Sequence, residues 1–576
     1  MSISPQKLKS IESKLKRYEP EIQLMRGEKT VPNYHSNLPE GEYCKTNENA
    51  TFALELFCCE NKEYHRIANN ILRTHSALQC KTGELRGLWP YFYEESLEEM
   101  HAPDWNYADF NAIPLLKIII EHSDKLEDGV YDILKESVIN ACYAIIKRNL
   151  TIIYTNPTVM SVYVLVVCGE MFNITEFINH GKNKLDRFYR HIMAARTFDE
   201  YNCPGYSLLI AQVFTIMLDH IKSEEIRKKV YTLNTIVWEM LGKHFHVKTG
   251  ELSGPNFRRY VNFLTTFECS EYKRATGIDL IDDDKMTAED LLYTPVCPEE
   301  LRHYFSKHHD EDYSALFTRG NNYPWFNQPN IDTLYMTEDY TLGSFSLMDG
   351  WNQRSLLTAY MGDRKEKCCI RLRVLHDFYD FSSGAVATVQ HKGSAATVVN
   401  FHTNHGDTHV DLDPIVNNTI KAKDLRVRFQ IEANCESAAH KVTVTQNGNE
   451  CILDVLGTAV KIEFPLVEMS GEKPFVEVTR TEKEIFVDAV LYKGEEKSIN
   501  LRALESVFAV ALISVGENEH KVNEIRKDGE FIYVNANLNG KTAEVSALCR
   551  AEEQIPSTMA TRMYIDGTRF EEYAEV

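Results

Sequence analysis

The chain predicts a multidomain α+β protein: an N-terminal (α/α) toroid of helical hairpins followed by a C-terminal antiparallel β-sandwich. Apolar residues recur at helical spacing from about residue 50 to 310. Beyond about 330 the pattern changes to short period-two runs separated by turn residues. In the first half, long helical stretches alternate with loops carrying Gly, Pro, Trp, Tyr, Asp and Asn, the pattern of hairpins whose loops converge on a central cleft. A length of 576 residues is also too great for one core. The expected domains are 1–48, an N-terminal helix and connection; 49–330, the toroid; and 331–576, the sandwich.

Taken in order, residues 1–26 space Leu8, Ile11 and Leu15 as a charged surface helix, and 27–48 read as a Gly/Pro/Asn-rich connection. Helices are expected over 50–77, 107–123, 129–149, 157–172, 174–194, 205–221, 222–243 and 256–266. Lys81-Thr-Gly-Glu-Leu85 recurs as Lys248-Thr-Gly-Glu-Leu252, either a structural repeat or a shared helix-stop signal. Strands are expected around 386–390, 426–431, 441–445, 475–479 and 484–488, with hairpin turns at Asn447-Gly448 and Asn539-Gly540.

Hydrophobic content of 43% and charged content of 26% are those of a water-exposed globular protein. A formal charge of −21 excludes a general nucleic-acid or anionic-membrane binder. No apolar run approaches the ~20 residues needed to cross a bilayer, and the N-terminal residues lack a signal-peptide pattern. The 14 cysteines include no C-x-x-C, which suits reduced thiols. The expectation is a cytoplasmic protein.

Five polar-aromatic segments could carry chemistry. The densest is Thr197-Phe-Asp-Glu-Tyr-Asn-Cys-Pro-Gly-Tyr206, in which Glu200, Asn202 and Tyr206 can exchange protons at the mouth of a helix opened by Pro204. Trp89 with Tyr91, followed by Asp104, Trp105, Asn106, Tyr107 and Asp109, offers rings for stacking on sugars and polar groups for hydroxyls. Asn156 precedes Pro157 at another helix start. Arg258, Arg259 and Tyr260 could form a fork for a carboxylate. In the β half, His405, Asp407, His409 and Asp411 would share one face if extended, a set able to hold zinc or calcium. Each segment also has a structural reading as a helix cap, a buried ring, a surface ion pair or a solvated loop.

These residues resemble the heparinase II/III-like superfamily of polysaccharide lyases. Glu200-Tyr-Asn-Cys-Pro-Gly-Tyr206 is similar to that family's Glu-x-Ser-Pro-x-Tyr element, with one extra residue and Cys203 at the Ser position. Asn156-Pro157 matches half of an Asn-His pair, and His409-Val-Asp411 resembles a His-x-Asp element of the β domain. The resemblance implies a toroid-plus-sandwich enzyme that cleaves uronate-containing oligosaccharides by β-elimination and requires no cofactor. Tyr206, His405, His409, Glu200 and Asn156 would be catalytic. Trp89, Asp104, Trp105, Asn106, Asp109, Asn202, Arg258, Arg259 and Tyr260 would bind substrate. In such a reaction a base removes the proton at C5, an acid protonates the leaving oxygen at C4, and a cation neutralises the carboxylate. The alternatives are a glycoside hydrolase using Glu200 with Asp104 or Asp109, and a non-catalytic carbohydrate-binding protein. The expected partner is an oligosaccharide, with neither nucleic acid nor membrane, and a homo-oligomer stays open.

Overall fold

The computed structural model describes residues 5–29, 35–286, 294–317, 330–403, 415–552, 562–570 and 572. It has the predicted architecture of helical hairpins followed by antiparallel sheets. The chain divides into two compact units whose boundaries interleave. One comprises 1–194, 206–237 and 266–298; the other comprises 195–205, 238–265 and 299–576. The second unit therefore takes two segments from the helical half, and both carry candidate site residues.

The longer helices are α1 (Pro5–Leu15), α2 (Thr46–Phe57), α3 (Lys62–Ala77), α4 (Tyr107–Glu121), α5 (Val130–Arg148), α6 (Thr155–Phe172), α7 (Thr175–Ala195), α8 (Pro204–His220), α9 (Glu224–His244) and α10 (Thr266–Thr276). Consecutive helices pack as pairs, α2 on α3 and α4 on α5, and α6 joins α4 and α5. Helix α6 is buried almost all round, from Thr155 to Gly169, which explains its unbroken apolar run. Two expected helices are corrected. Residues 50–77 form two helices, because Asn61 accepts a hydrogen bond from the Glu63 N–H at 2.9 Å and starts a new helix there. Of the helix expected over 256–266, residues 256–265 are not helical: the backbone of 256–259 pairs with distant segments, as described below, and α10 begins only at Thr266. The recurring Lys-Thr-Gly-Glu-Leu segments share a left-handed glycine, Gly83 at φ 74° and Gly250 at φ 68°.

Three sheets stack in the second unit. A seven-stranded sheet, which includes Gly384–His391, Ser394–Phe401 and Val507–Val515, lies between a nine-stranded sheet and a five-stranded one. Its central strands are covered on both faces, so they read as continuous apolar stretches rather than strict alternations. The nine-stranded sheet carries Lys367–His376 beside Thr419–Ala433, which pairs in turn with Glu484–Asn500. On one face of these three strands lie Arg371, Arg373, Arg426, Arg428 and Asp488.

Two-residue hairpin loops need positive φ at the first central residue or at both, a conformation that favours Gly and Asn. Lys392-Gly393, Asn417-Asn418, Leu456-Gly457, Asn539-Gly540 and Asp566-Gly567 fit that rule. At Asn447-Gly448 the expected hairpin forms with Gly448-Asn449 as its loop. The loop between His376 and Tyr379 has this geometry without the residues that favour it. There Asp377 has φ 47° and Phe378 has φ 70°, and neither is Gly or Asn. A bulky residue held in this region costs about 1–3 kcal/mol.

Buried histidines make stability depend on pH. His75 and His246 are 0% and 1% exposed, and burial lowers each from 6.5 to about 4. Burial holds each ring neutral against acceptors that pull the other way: His75 Nε2 faces Asn111 Oδ1 at 2.8 Å, and His246 Nε2 faces the Thr337 and Glu338 carbonyls at 3.1 and 3.0 Å. Between pH 6.5 and 4 the unfolded chain binds more protons than the folded one, so stability must fall with falling pH across that window. Urea unfolding at pH 7 and pH 5 is expected to differ by roughly 2 kcal/mol per histidine. His75→Gln is expected to reduce that difference.

Candidate functional site

Three segments of the second unit are zipped together by their backbones. The Phe257 N–H donates to the Tyr201 carbonyl at 3.0 Å, and the Arg259 N–H donates to the Gln353 carbonyl at 2.6 Å. Asn256 and Ser355 exchange backbone hydrogen bonds at 3.2 and 3.0 Å. Asn202, in the left-handed region at φ 47°, donates its side-chain amide to the Ser253 carbonyl at 2.7 Å and the Pro255 carbonyl at 3.1 Å. The Asn256 amide returns a bond to the Asn202 carbonyl at 2.7 Å. Residues 197–205, 252–260 and 349–358 thus form one platform.

A buried cluster lies within it. Tyr201, His244 and Asp332 are each 0% exposed. His244 Nε2 lies 3.0 Å from both the Tyr201 hydroxyl and Asp332 Oδ2, while its Nδ1 faces the Met240 carbonyl at 2.8 Å. Tyr201 also donates directly to Asp332. The Met240 carbonyl can only accept, which places a proton on Nδ1. Gly254 closes one side at φ 82°. A Cβ there would sit 2.8 Å from His244 Cδ2, so Gly254→Ala should displace the imidazole. It is expected to cost about 1–3 kcal/mol, read as a lowered urea midpoint.

The accessible part is built around Arg258. Its guanidinium donates to Glu200 Oε1 at 3.0 Å, Gln353 Oε1 at 2.7 Å and the Tyr260 hydroxyl at 3.1 Å. It also lies 5.7 Å from the centre of the Trp351 ring, within cation–π range. Glu200 and Gln353 are buried, whereas Tyr260 is 63% exposed. Charge, amide, phenol and indole therefore meet at one surface, the composition expected where a hydroxylated anion is held. The Cys203 thiol accepts the Arg258 N–H at 3.0 Å, and burial pushes its pKa up, so it serves as packing rather than as a nucleophile. Beneath the platform, the buried Arg371 donates to the carbonyls of Asn352 at 3.3 Å and Arg354 at 2.5 Å, holding the Trp351 loop to the nine-stranded sheet.

The other residues singled out by sequence lie elsewhere. Arg259 is buried, bonded to the Leu252 and Val261 carbonyls and paired with Glu251 at 3.3 Å. In the helical unit, Trp89 is fully buried and donates its indole N–H to the His75 carbonyl at 3.0 Å. Asp104 accepts from the Tyr91 hydroxyl at 3.0 Å and the Asn106 N–H at 2.8 Å. Arg148 gathers Asp109 Oδ2 at 2.8 Å, Asn106 Oδ1 at 3.0 Å and the Trp105 carbonyl at 3.0 Å, and the Asp109 carboxylate is 0% exposed. Asn156 is buried in the first turn of α6, and Tyr206 is half-buried in the first turn of α8. His405, Asp407, His409 and Asp411 lie outside the described residues, among which no group of three or more side chains could hold a metal ion.

Sequence reading missed Tyr201, His244, Asp332, Trp351 and Gln353. A signal was present for one pair: Trp351-Asn-Gln-Arg354 has the same polar-aromatic composition as the loops singled out in the helical half. Only the fold distinguishes Tyr201, whose ring turns inward, from Tyr206 at a helix mouth.

Residues 88–271 match the model of a family described as "Domain of unknown function (DUF8769)". No curated protein matches the chain. Among solved structures, the chain is similar to a crystal structure of heparinase III, with a TM-score of 0.49 and 8% identity, covering 95% of this chain and 91% of that one. A second heparinase III structure gives a TM-score of 0.38 and 9% identity over the same shares. Among the described residues, no helix is long and apolar enough to cross a membrane.

Proposed function

We propose that this protein is a carbohydrate-active enzyme that cleaves uronate-containing oligosaccharides by β-elimination. The observation that carries this reading is the exposed Tyr260 phenol held 3.1 Å from the Arg258 guanidinium, beside Trp351. A uronate carboxylate set against Arg258 would have its charge balanced as the C5 proton leaves. Tyr260, next to that cation, is placed to take the C5 proton or return it to the C4 oxygen. Glu200 and Gln353 fix the guanidinium plane, which favours a two-oxygen grip on a carboxylate. Tyr206 is the other tyrosine to test in the same role.

The decisive measurement incubates the protein with acidic and neutral oligosaccharides and follows both the ultraviolet absorbance of a new conjugated double bond and the appearance of reducing ends. Elimination from acidic chains predicts both signals together. New reducing ends without the absorbance would replace this reading with hydrolysis.

A further inference from the structure

We propose that the hairpin turn at Asp377-Phe378, with Tyr379 and Asn352, forms a distal sugar-binding subsite, so that the preferred ligand is an extended oligosaccharide rather than a single sugar or disaccharide; this rests on the carbohydrate reading above. The first observation is the turn itself. It stands apart from the glycine- and asparagine-containing loops of the same unit because a phenylalanine occupies a left-handed position at φ 70°. Asp377 ties the turn down, donating to the Asp424 carbonyl at 2.9 Å and accepting the Lys423 and Asp424 N–H groups at 2.8 Å, but those bonds do not call for a phenylalanine at the next position. The Phe378 ring is 61% exposed, and the contact found for it is with the Arg426 guanidinium, 5.0 Å from its centre. That contact is of the same order as the strain of the backbone beneath it and leaves most of the ring in water. A strained, exposed aromatic is better explained by a ligand that uses its face.

The second observation is continuity with the Arg258 cluster. Tyr379 is 43% exposed, and its hydroxyl accepts from the Asn352 amide at 2.8 Å. Asn352 adjoins Trp351, whose ring lies under Arg258, and Arg258 bonds Tyr260. Aromatic faces thus alternate with hydroxyl, amide and guanidinium groups from Phe378 to Tyr260. This alternation suits a chain of pyranose rings, each with an apolar C–H face and a polar rim. A purely apolar partner would leave the Asn352 and Arg258 polar groups without new bonds.

Phe378→Gly tests the proposal without threatening the fold, because it removes the ring and suits the backbone. Its melting temperature is expected to equal or exceed that of the parent protein. By calorimetry with uronate-containing hexasaccharide and disaccharide fractions, its hexasaccharide affinity is expected to fall roughly tenfold, with the disaccharide unchanged. Tyr379→Ala should act in the same direction. Equal hexasaccharide affinity in Phe378→Gly and the parent, with the parent binding the chain, overturns the distal subsite alone. Equal losses for both lengths also overturn it, since the ring would then belong to the primary site. A parent protein that binds no oligosaccharide overturns the carbohydrate reading and the subsite together.

Discussion

Tyr260→Phe is expected to lower turnover of an acidic oligosaccharide by roughly 10²–10⁴-fold while changing its dissociation constant little. The substitution removes one oxygen and leaves the ring. Arg258 loses a single partner and keeps Glu200 and Gln353, so the guanidinium stays in place. What disappears is the group able to carry a proton beside the bound carboxylate. Steady-state kinetics should therefore show the loss in kcat, with KM nearly constant. Arg258→Ala should behave differently. It removes the charge that would bind the carboxylate and stabilise the developing anion, so KM should rise as kcat falls. Full activity in Tyr260→Phe would take the phenol out of the mechanism, and a parallel Tyr206→Phe variant would then show whether the proton carrier lies at the start of α8.

Asp488→Ala is expected to destabilise the protein by about 3–5 kcal/mol. Asp488 is 0% exposed and accepts from Arg426 at 2.5 Å and from two nitrogens of Arg428 at 2.7 Å. Arg426 retains an ion pair with Asp424 and another with Glu477 at 3.2 Å. Arg428 has no other carboxylate partner among the described residues, and its guanidinium rests 3.8 Å from the centre of the Phe486 ring. Removing Asp488 would leave that buried cation uncompensated, a far larger loss than breaking an exposed pair. Urea unfolding should show a lowered midpoint at unchanged slope. Asp488→Asn, which keeps one acceptor oxygen, should lose less. A cost below about 1 kcal/mol would mean that water reaches Arg428 and screens it.

The architecture was legible because burial writes periodicity into sequence. Amphipathic stretches such as α7 repeat their apolar residues at helical spacing, and hairpin positions such as Asn539-Gly540 announce a left-handed turn. Legibility failed where a residue's role depends on a partner far along the chain. Cys58-Cys59-Glu60-Asn61 gave no strong breaker, so the division between α2 and α3 rested on one asparagine side chain. The stretch 256–266 has helix-like spacing, yet the backbone bonds of its first four residues are taken by residues roughly 55 and 95 positions away, and those bonds exist only in the folded chain.

Arg258 and Arg259 show the same limit within two positions. Side chains of identical chemistry and adjacent number point to opposite fates, one to a surface beside Tyr260 and the other into a buried pair with Glu251. By itself the sequence determined the order of helices and sheets, the acidic balance of −21 and the polar-aromatic segments worth inspecting, since these follow from composition and local periodicity. Only the tertiary structure decided which of those groups meet. It joined Glu200 and Arg258 to Gln353 and Trp351 and buried Tyr201 against His244 and Asp332. It also held Phe378 in a strained, exposed turn, because contacts between distant segments are set by the packing of whole sheets rather than by neighbours in the chain.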